Sequence, residues 1–385
     1  MSKKIRIFID AEVLIVPHFS GIGHYTLEVL RALDKLVENR DDVEITLGVY
    51  FRRIRKIKSY GFRNFRYRRT PFPLRISNAM KIRNKQIYYD LFFGKKVYLF
   101  PNFTSWPLLF SKSVPIIYDL SFEKFPQFAD PRNQQFLSDN VKKSAEWAEK
   151  IVTISSNSKQ EIVDYYGTKP SDVEIVYPGI DQSQFFRWPA NEVEKVKARY
   201  GVFGKYILYV GNLEPRKNLK TLLLAYEKLP TSIRKEYSIL LVGARGWLDD
   251  EIFDIIERLR IAGNHIQQPQ GYVKDEDRAA LYSGASLFVY PSLYEGFGIP
   301  PVEAMACGVP TITSNNSSLP EAVGDAAKTV DAEDVDGLSD TIQKVLGDEK
   351  LQEEMRTKGF EQADKYSWDH EAQKLLNLLI EVGRK

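Results

Sequence analysis

The chain has 385 residues, more than one hydrophobic core usually serves, so two domains are expected. Hydrophobic residues make up 43% and charged residues 27%, which excludes a disordered chain; no run approaches the roughly 18 apolar residues of a spanning helix. Cys307 is the only cysteine, which excludes an intramolecular disulfide and makes a reducing, cytoplasmic setting the expected one.

The basic start, followed by an apolar run over 5–9 that is broken at Asp10 and Glu12, predicts a first strand and not a signal peptide. A glycine loop and an amphipathic helix over about 23–37 come next, then a second strand over 44–50. Residues 51–96 depart from the rest. They hold fifteen Lys or Arg with Asp90 as the only acid, a net +14; the whole chain carries +3, so the other residues carry −11. Ten aromatics are interleaved there, among them Tyr60, Phe62, Phe65, Tyr67, Tyr89 and Phe92. A solvated face is the ordinary reading of a charge run. At this density an anionic partner is preferred: basic side chains with apolar contacts suit an anionic membrane surface. The composition also suits single-stranded nucleic acid, but no nucleic-acid-binding motif accompanies it, so none is expected.

Short strands are predicted at 97–100 and 115–118, a helix over 133–148, a strand over 150–154, a helix over 157–165 and a strand over 174–177. Polar, aromatic residues 181–189 show no period and read as an interdomain linker. A second alternating series has strands at 206–210, 238–242, about 265–268, 287–290, 311–313 and near 327–330, with helices between. An amphipathic helix is expected over 370–382. Strand–helix alternation implies mostly parallel sheets with right-handed crossovers. Two such α/β units are expected, with ligands at the carboxyl ends of strands. The expected division is 1–180, 181–369 and a terminal helix within 370–385.

The stretch E-G-F-G-I-P-P-V-E, from Glu295 to Glu303, follows the apolar run 286–291 and leads into a short helix. Pro300 and Pro301 suit a first helical turn and Gly308 suits the residue beyond the end. Two carboxylates thus flank a glycine loop and a helix N-terminus, where free N–H groups favour anions. Phosphate together with sugar hydroxyls suggests a nucleotide-sugar. Taken alone, the Glu would be a dipole-stabilising residue and E-G-F-G a loop. Gly211-Asn212-Leu213-Glu214-Pro215-Arg216-Lys217-Asn218 follows the 206–210 strand. Arg216 can fork onto phosphate and Lys217 adds a point charge. Taken alone, this is a helix-start loop with exposed cations.

Three further stretches follow the same logic. Phe19-Ser20-Gly21-Ile22-Gly23-His24-Tyr25 lies in the first strand–helix turn, where Gly21 and Gly23 allow close backbone approach to phosphate or form a plain tight turn. Tyr118 and Asp119 end the 115–118 run and are either functional or structural. Gly271-Tyr272-Val273 is a turn. Arg245 and Gly246 follow a strand and read as surface loop. The four histidines and one cysteine show no metal-ligand spacing, so no metal is expected.

In order, the Glu295–Glu303 string, the A-M-A-C-G-V-P run at 304–310 and S-N-N-S-S-L-P-E at 314–321 resemble the signature of retaining glycosyltransferases of the GT-B fold, family 4. The resemblance covers essentially the whole chain, more strongly in the second half. It implies two Rossmann-like parallel-sheet domains facing each other across a cleft, an N-terminal acceptor domain and a C-terminal donor domain, with the last helix crossing back to the first. It implies that Arg216 and Lys217 bind the donor diphosphate, that Glu295 orients the sugar, and that Glu303 holds the ribose. Gly211, Gly296, Phe297, Gly298 and Ile299 would line the donor, Tyr272 and Val273 would pack on the base, and Gly21 and Gly23 would face it. Relatives carry His-Asp where this chain has Tyr118-Asp119; a tyrosine hydroxyl can donate a hydrogen bond but carries no positive charge near neutral pH. Same-face attack, with the leaving phosphate taking the acceptor proton, is implied as the mechanism.

The variant string looks most like bacterial mannosyltransferases of surface polysaccharide synthesis. GDP-mannose is the favoured donor, with UDP-hexoses open, and the basic segment suggests a lipid-linked saccharide acceptor at the inner face of the plasma membrane. A non-catalytic GT-B subunit is the main alternative, resting on the missing histidine before Asp119. A sugar-nucleotide epimerase is another. A nicotinamide dehydrogenase would need a third glycine at Thr26.

Overall fold

A computed structural model describes residues 4–15, 21–50, 53–70, 88–246 and 250–385. The chain divides into two compact units, residues 1–179 with Ser367–Lys385 and residues Ile180–Tyr366. Both are α/β units built on parallel sheets.

In the first unit, β1 (Ile5–Asp10) lies between β2 (Val43–Tyr50) and β4 (Val97–Phe100), with β3 (Arg66–Thr70) at one edge and β5 (Lys112–Pro115) at the other. All pairs are parallel. Bridges Ser113–Ala148 and Ile116–Val152 continue toward β6 (Ile151–Thr153), which pairs with β7 (Val173–Ile175). Ile7, Phe8 and Ile9 are all fully buried, as befits a strand covered on both faces. The helix Gly21–Leu36 buries Tyr25, Leu27, Val29, Leu30 and Leu33. The terminal helix, Trp368–Arg384, belongs to this unit: a methyl at Gly383 would meet Ile5 and Val97, and Trp368 meets Tyr25 edge-on at 5.4 Å.

The described residues of the basic segment contain three elements that its charge concealed, the helix Ile54–Lys58, the strand β3 and the short helix Asp90–Phe93. R-Y-R-R-T has few apolar residues to announce a strand, yet charged side chains suit a sheet edge. Phe62, Phe65 and Tyr89 are buried in the core, and the Tyr60 and Tyr67 hydroxyls donate to the carbonyls of Leu14 and Phe62. These aromatics therefore pack against the unit, whereas Phe92 of the same segment is exposed. Residues 71–87 of this segment, and Phe19-Ser20 of the glycine motif, lie outside the described residues. The strand expected over 115–118 lies three residues earlier, at β5. Ile116 and Ile117 are apolar because they are fully buried, and their amides donate to Phe100 and Val152 across the two neighbouring strands.

The second unit has a six-stranded parallel sheet in the order β10 (Ile266–Gln267), β9 (Tyr237–Val242), β8 (Lys205–Val210), β11 (Leu287–Tyr290), β12 (Thr311–Ser314), β13 (Lys328–Val330). The chain runs outward from β8 through β9 to β10, then returns to the other side of β8 for β11. The strand order thus reverses between β8 and β11. The loops leaving their carboxyl ends diverge there, which opens the place where such sheets take ligands. Tyr209 and Tyr290, both fully buried, stack at 5.8 Å beneath these loops.

Close backbone approach fixes the loop after β8. A Cβ on Gly243, at the end of β9, would collide with the Gly211 carbonyl oxygen, and no side-chain movement relieves a clash with backbone. Gly243→Ala is expected to cost about 1–3 kcal/mol, read as a lower urea midpoint at unchanged slope.

Candidate active site

Gly211–Asn218 leaves β8 and makes a single 3₁₀ turn at Pro215–Lys217. Asn218 follows in the left-handed region, φ 56°, and caps the helix Leu219–Lys228. Its amide donates to Pro291 O at 3.0 Å and Ala332 O at 2.6 Å, and its oxygen accepts from the Thr221 hydroxyl at 2.9 Å. Leu293 N donates to Arg216 O at 2.9 Å. The loops after β8 and β11 are therefore cross-tied through their backbones.

The ties bring Glu295 onto both cations. Lys217 Nζ lies 2.7 Å from Glu295 Oε1 and donates to the Tyr290 hydroxyl at 2.9 Å. Arg216 Nη1 lies 3.4 Å from Glu295 Oε2 and also donates to Tyr294 O, while Nη2 lies 2.9 Å from Glu214 Oε1. Ser292, fully buried, donates to Glu295 Oε1 at 2.6 Å. Burial alone would raise the Glu295 carboxyl. The Lys217 and Arg216 charges, with hydrogen bonds from Lys217 and Ser292, outweigh burial and hold it down at about 2. Burial draws the Lys217 ammonium below its ordinary value, with Glu295 opposing and Arg216 reinforcing. Burial, and then the nearby Glu295 charge, push the Tyr209 and Tyr290 hydroxyls up, so both stay neutral donors.

A second clamp comes from the loop after β12. Glu295 N donates to Ser317 Oγ at 3.0 Å, and Ser317 itself has φ 50°. Ser318 Oγ lies 2.7 Å from Glu295 O and 2.9 Å from Phe297 O. Ser314 Oγ donates to Ser292 O. Gly298 caps the helix Ile299–Ala306 with φ 117°, a conformation that side chains rarely adopt, and its α-carbon faces Leu319 closely. Pro300 and Pro301 have no N–H, so the first-turn donors at this helix start are Gly298 and Ile299. Gly296 and Phe297 are buried beside them, and the Phe297 ring meets Tyr366 edge-on at 5.0 Å.

Glu303 lies one turn further into that helix, 5% exposed. Tyr282 donates to its Oε2 at 2.8 Å, and Arg278 Nη2 lies 3.4 Å from Oε1. The Glu303 charge raises the Arg278 guanidinium above its ordinary value against the effect of burial. Gly211 stands at the end of β8. Gly271, at φ 81°, turns the chain so that Tyr272 is 76% exposed while Val273 is buried.

The structure thus brings Gly211, Arg216, Lys217, Glu295, Gly296, Phe297, Gly298, Ile299 and Glu303 to the β8 and β11 ends of one sheet. Gly21, Gly23, Tyr118 and Asp119 belong to the other unit. Gly21 and Gly23 open the helix itself and are not in a preceding loop. Tyr118 is buried; its hydroxyl donates to Pro101 O at 3.1 Å, lies 3.4 Å from Thr26 Oγ1, and is raised by burial. Asp119 Oδ1 accepts from Ser121 N at 2.9 Å, at the start of the helix Ser121–Lys124. Sequence reasoning missed Ser292, Asn218, Tyr290, Arg278 and Tyr282. Asn218 alone carried a signal, as the polar residue closing E-P-R-K-N before an apolar helix. Among the described residues no cluster of three His, Cys, Asp or Glu could hold a metal.

The reversal point of the second unit's parallel sheet thus carries a cation pair, a clamped carboxylate and a second carboxylate in the helix that follows. Residues 194–362 match the family described as glycosyl transferases group 1. O-antigen chain mannosyltransferase B of Escherichia coli is 31% identical over 375 residues, covering 95% of this chain and 97% of that one. Serotype-specific mannosyltransferase WbdA of Escherichia coli is 31% identical over 269 residues, 68% of this chain but 32% of that longer protein. Among solved structures, sucrose-phosphate synthase of Thermosynechococcus elongatus superposes with TM-score 0.72 at 17% identity, covering 98% of this chain and 99% of that one. Anabaena HepE in complex with UDP gives 0.70 at 14%, covering 98% and 100%. The chain belongs to the group 1 glycosyl transferases, and it is a glycosyltransferase of the GT-B fold.

The Glu295 carboxyl gives a stability signature. Its folded value lies below its ordinary 4.5, so its contribution is full above about pH 4.5 and is lost as pH falls toward about 2. The melting temperature should fall more steeply across that window in the native protein than in Glu295→Gln. Parallel curves would mean that the pair contributes nothing.

Proposed function

We propose that the chain is a retaining hexosyltransferase that moves mannose from GDP-mannose to a hydroxyl of a lipid-linked saccharide in surface glycan synthesis. The observation that carries the reading is the Lys217–Glu295–Arg216 cluster at the β8 and β11 ends. Mannosyl transfer is favoured by the identity to O-antigen chain mannosyltransferase B over nearly the whole length of both chains.

Arg216 and Lys217 take the diphosphate of the donor, and their charges meet the charge that develops as it leaves. Such preorganised electrostatics is commonly the largest catalytic contribution. These two cations can supply the counter-charge that a metal supplies elsewhere, so the reaction is read as metal-independent. Glu295, ionised across the physiological range, accepts from sugar hydroxyls and fixes the ring. The Gly298 and Ile299 amides sit where phosphate or a sugar hydroxyl can accept from them. Glu303 accepts from the ribose, with Gly211 and the Tyr272-Val273 turn beside the nucleoside. The C1–phosphate bond breaks, the acceptor oxygen bonds to C1 on the same face, and the acceptor proton passes to a leaving phosphate oxygen. Tyr118 and Asp119 remain candidates for a polar role in catalysis; the Tyr118 hydroxyl and one Asp119 oxygen also bond to the backbone. For Gly21 and Gly23 a role toward the donor rests on the family resemblance alone.

The basic segment suggests that the acceptor is met at an anionic membrane, at the inner face of the plasma membrane. Among the described residues no helix is long and apolar enough to cross a membrane. Arg66, on the edge strand, is 70% exposed and pairs with Glu44 at 3.0 Å. Neutralising Arg66, Arg68 and Arg69 together should weaken sedimentation with anionic vesicles at low salt. Unchanged sedimentation removes the membrane from this reading.

The activity test is transfer from GDP-mannose, UDP-glucose and UDP-galactose to a lipid-linked saccharide, with the anomeric configuration of the product read by NMR. GDP-mannose is expected to be used and the α configuration kept, with no loss on adding a chelator. Arg216→Gln should lower kcat about 10²–10³-fold. Full activity in that variant, or an inverted product, would overturn the assignment.

A further inference from the structure

Among the described residues, charge in the cluster is balanced. Arg216 and Lys217 carry two positive charges; Glu214 and Glu295 carry two negative ones. The Arg216 guanidinium is shared among Tyr294 O, Glu295 and Glu214. A neutral cluster attracts a diphosphate weakly, and a phosphate that forks onto the Nη1–Nη2 edge of Arg216 meets these acceptors already in place. Tyr294 O is main chain in a clamped loop. Glu295 is 11% exposed in its side chain and is bonded to Lys217 and Ser292 as well as Arg216. Glu214 differs on every count. Its side chain is 25% exposed, and among the described residues its carboxylate has one partner, Arg216 Nη2 at 2.9 Å.

The Glu214 main chain cannot follow the ligand. Its N–H donates to Asn212 O and its carbonyl accepts from Lys217 N, Pro215 follows it, and its Cβ backs onto Gly246. Leu213, beside it, bridges to Arg245. Motion is therefore confined to the side chain beyond Cβ, which is short, flexible and next to solvent.

We infer that Glu214 is a displaceable counter-ion. It occupies the phosphate-facing side of Arg216, swings toward solvent when a diphosphate arrives, and leaves the site with net positive charge while the diphosphate is bound. When the diphosphate departs, Glu214 recaptures Arg216. This inference rests on the reading of Arg216 and Lys217 as the diphosphate site. Glu214 is a positioning residue on this account, since it acts through Arg216 and touches no substrate.

The two ways of removing the carboxylate give opposite results for a competitor and for a support. If Glu214 competes with phosphate, Glu214→Gln tightens diphosphate binding. If it only aims Arg216, the same change weakens it. The test is calorimetric titration of the full chain and of Glu214→Gln with GDP, UDP and inorganic pyrophosphate, with Glu214→Ala as the second variant and circular dichroism to confirm folding. The pair is partly exposed, so a gain of about fivefold is expected for the preferred nucleotide and for pyrophosphate alike. The donor KM should fall in step, with kcat no higher than in the native chain. Equal or weaker binding in both variants overturns the inference. Arg216→Gln separates the failures. If it abolishes nucleotide binding while Glu214→Gln gains nothing, only the role of Glu214 falls. If the native chain binds none of the three probes, the diphosphate reading falls and this inference with it.

Discussion

The second unit is organised around one buried carboxylate. Glu295 is 8% exposed and meets Lys217, Arg216 and Ser292, with its own backbone held by Ser317 and Ser318. Buried charge is costly unless paired and hydrogen-bonded, and a buried pair is weak evidence for stability in itself. Its effect here is geometric. The cations arrive from the β8 loop, the carboxylate from the β11 loop and the serines from the β12 loop, so three connections must close correctly for the charges to be satisfied. Removing one partner leaves an uncompensated buried charge, an error on the order of 3–5 kcal/mol. That penalty keeps the three loops in one arrangement.

Strand order explains why these loops meet. β8 is flanked by β9 on one side and β11 on the other, and the chain leaves β8 in one direction and returns in the other. Neighbouring loops at such a reversal separate and expose the strand ends between them. Asn218 holds that separation to a fixed width. Its side chain reaches Pro291 O on one loop and Ala332 O near another, which no backbone group of the β8 loop could do from the same place. Tyr290 does the same from beneath, giving Lys217 a hydroxyl at 2.9 Å and a ring face at 5.4 Å.

What the sequence discloses follows from these forces. Continuous apolar runs such as Leu287–Tyr290 and Lys205–Val210 are legible because strands buried on both faces admit little else. The Glu295–Glu303 string is legible because proline and glycine at a helix start have positional meaning that survives without coordinates. The S-N-N-S-S-L-P-E string was matched by resemblance; its physical content, the serine clamp on Glu295 and Phe297, emerges only when β12 is placed beside β11. β3 was illegible because an edge strand needs one covered face at most, and Arg66, Arg68 and Arg69 mask its period. The buried aromatics Phe62, Phe65 and Tyr89 misled for the same reason: interleaving with charge looks like a surface until the register with β2 and β1 is known. Ser292 could not have been found, since a buried serine that donates to a carboxylate has no pattern in one dimension.

The two glutamates of the signature show how environment divides one residue type into two chemistries. Glu295 precedes the helix and faces two cations, so it stays ionised and spends its lone pairs on Lys217, Arg216 and Ser292. Glu303 is inside the helix, where its partners are the Tyr282 hydroxyl and the outlying Arg278. The first is tied into a cluster with Lys217, Arg216 and, through Arg216, Glu214. The second has a tyrosine partner, which is neutral near pH 7 even at its ordinary value, and burial raises that value further. The charge cluster therefore lies at the β8 and β11 ends, and Glu303 is held by groups of fixed charge. Tyr118, in the other unit, is neutral for the same reason as Tyr282. Both cations of the cluster come from the E-P-R-K loop, and Arg216 within it is shared between the Glu295 and Glu214 carboxylates.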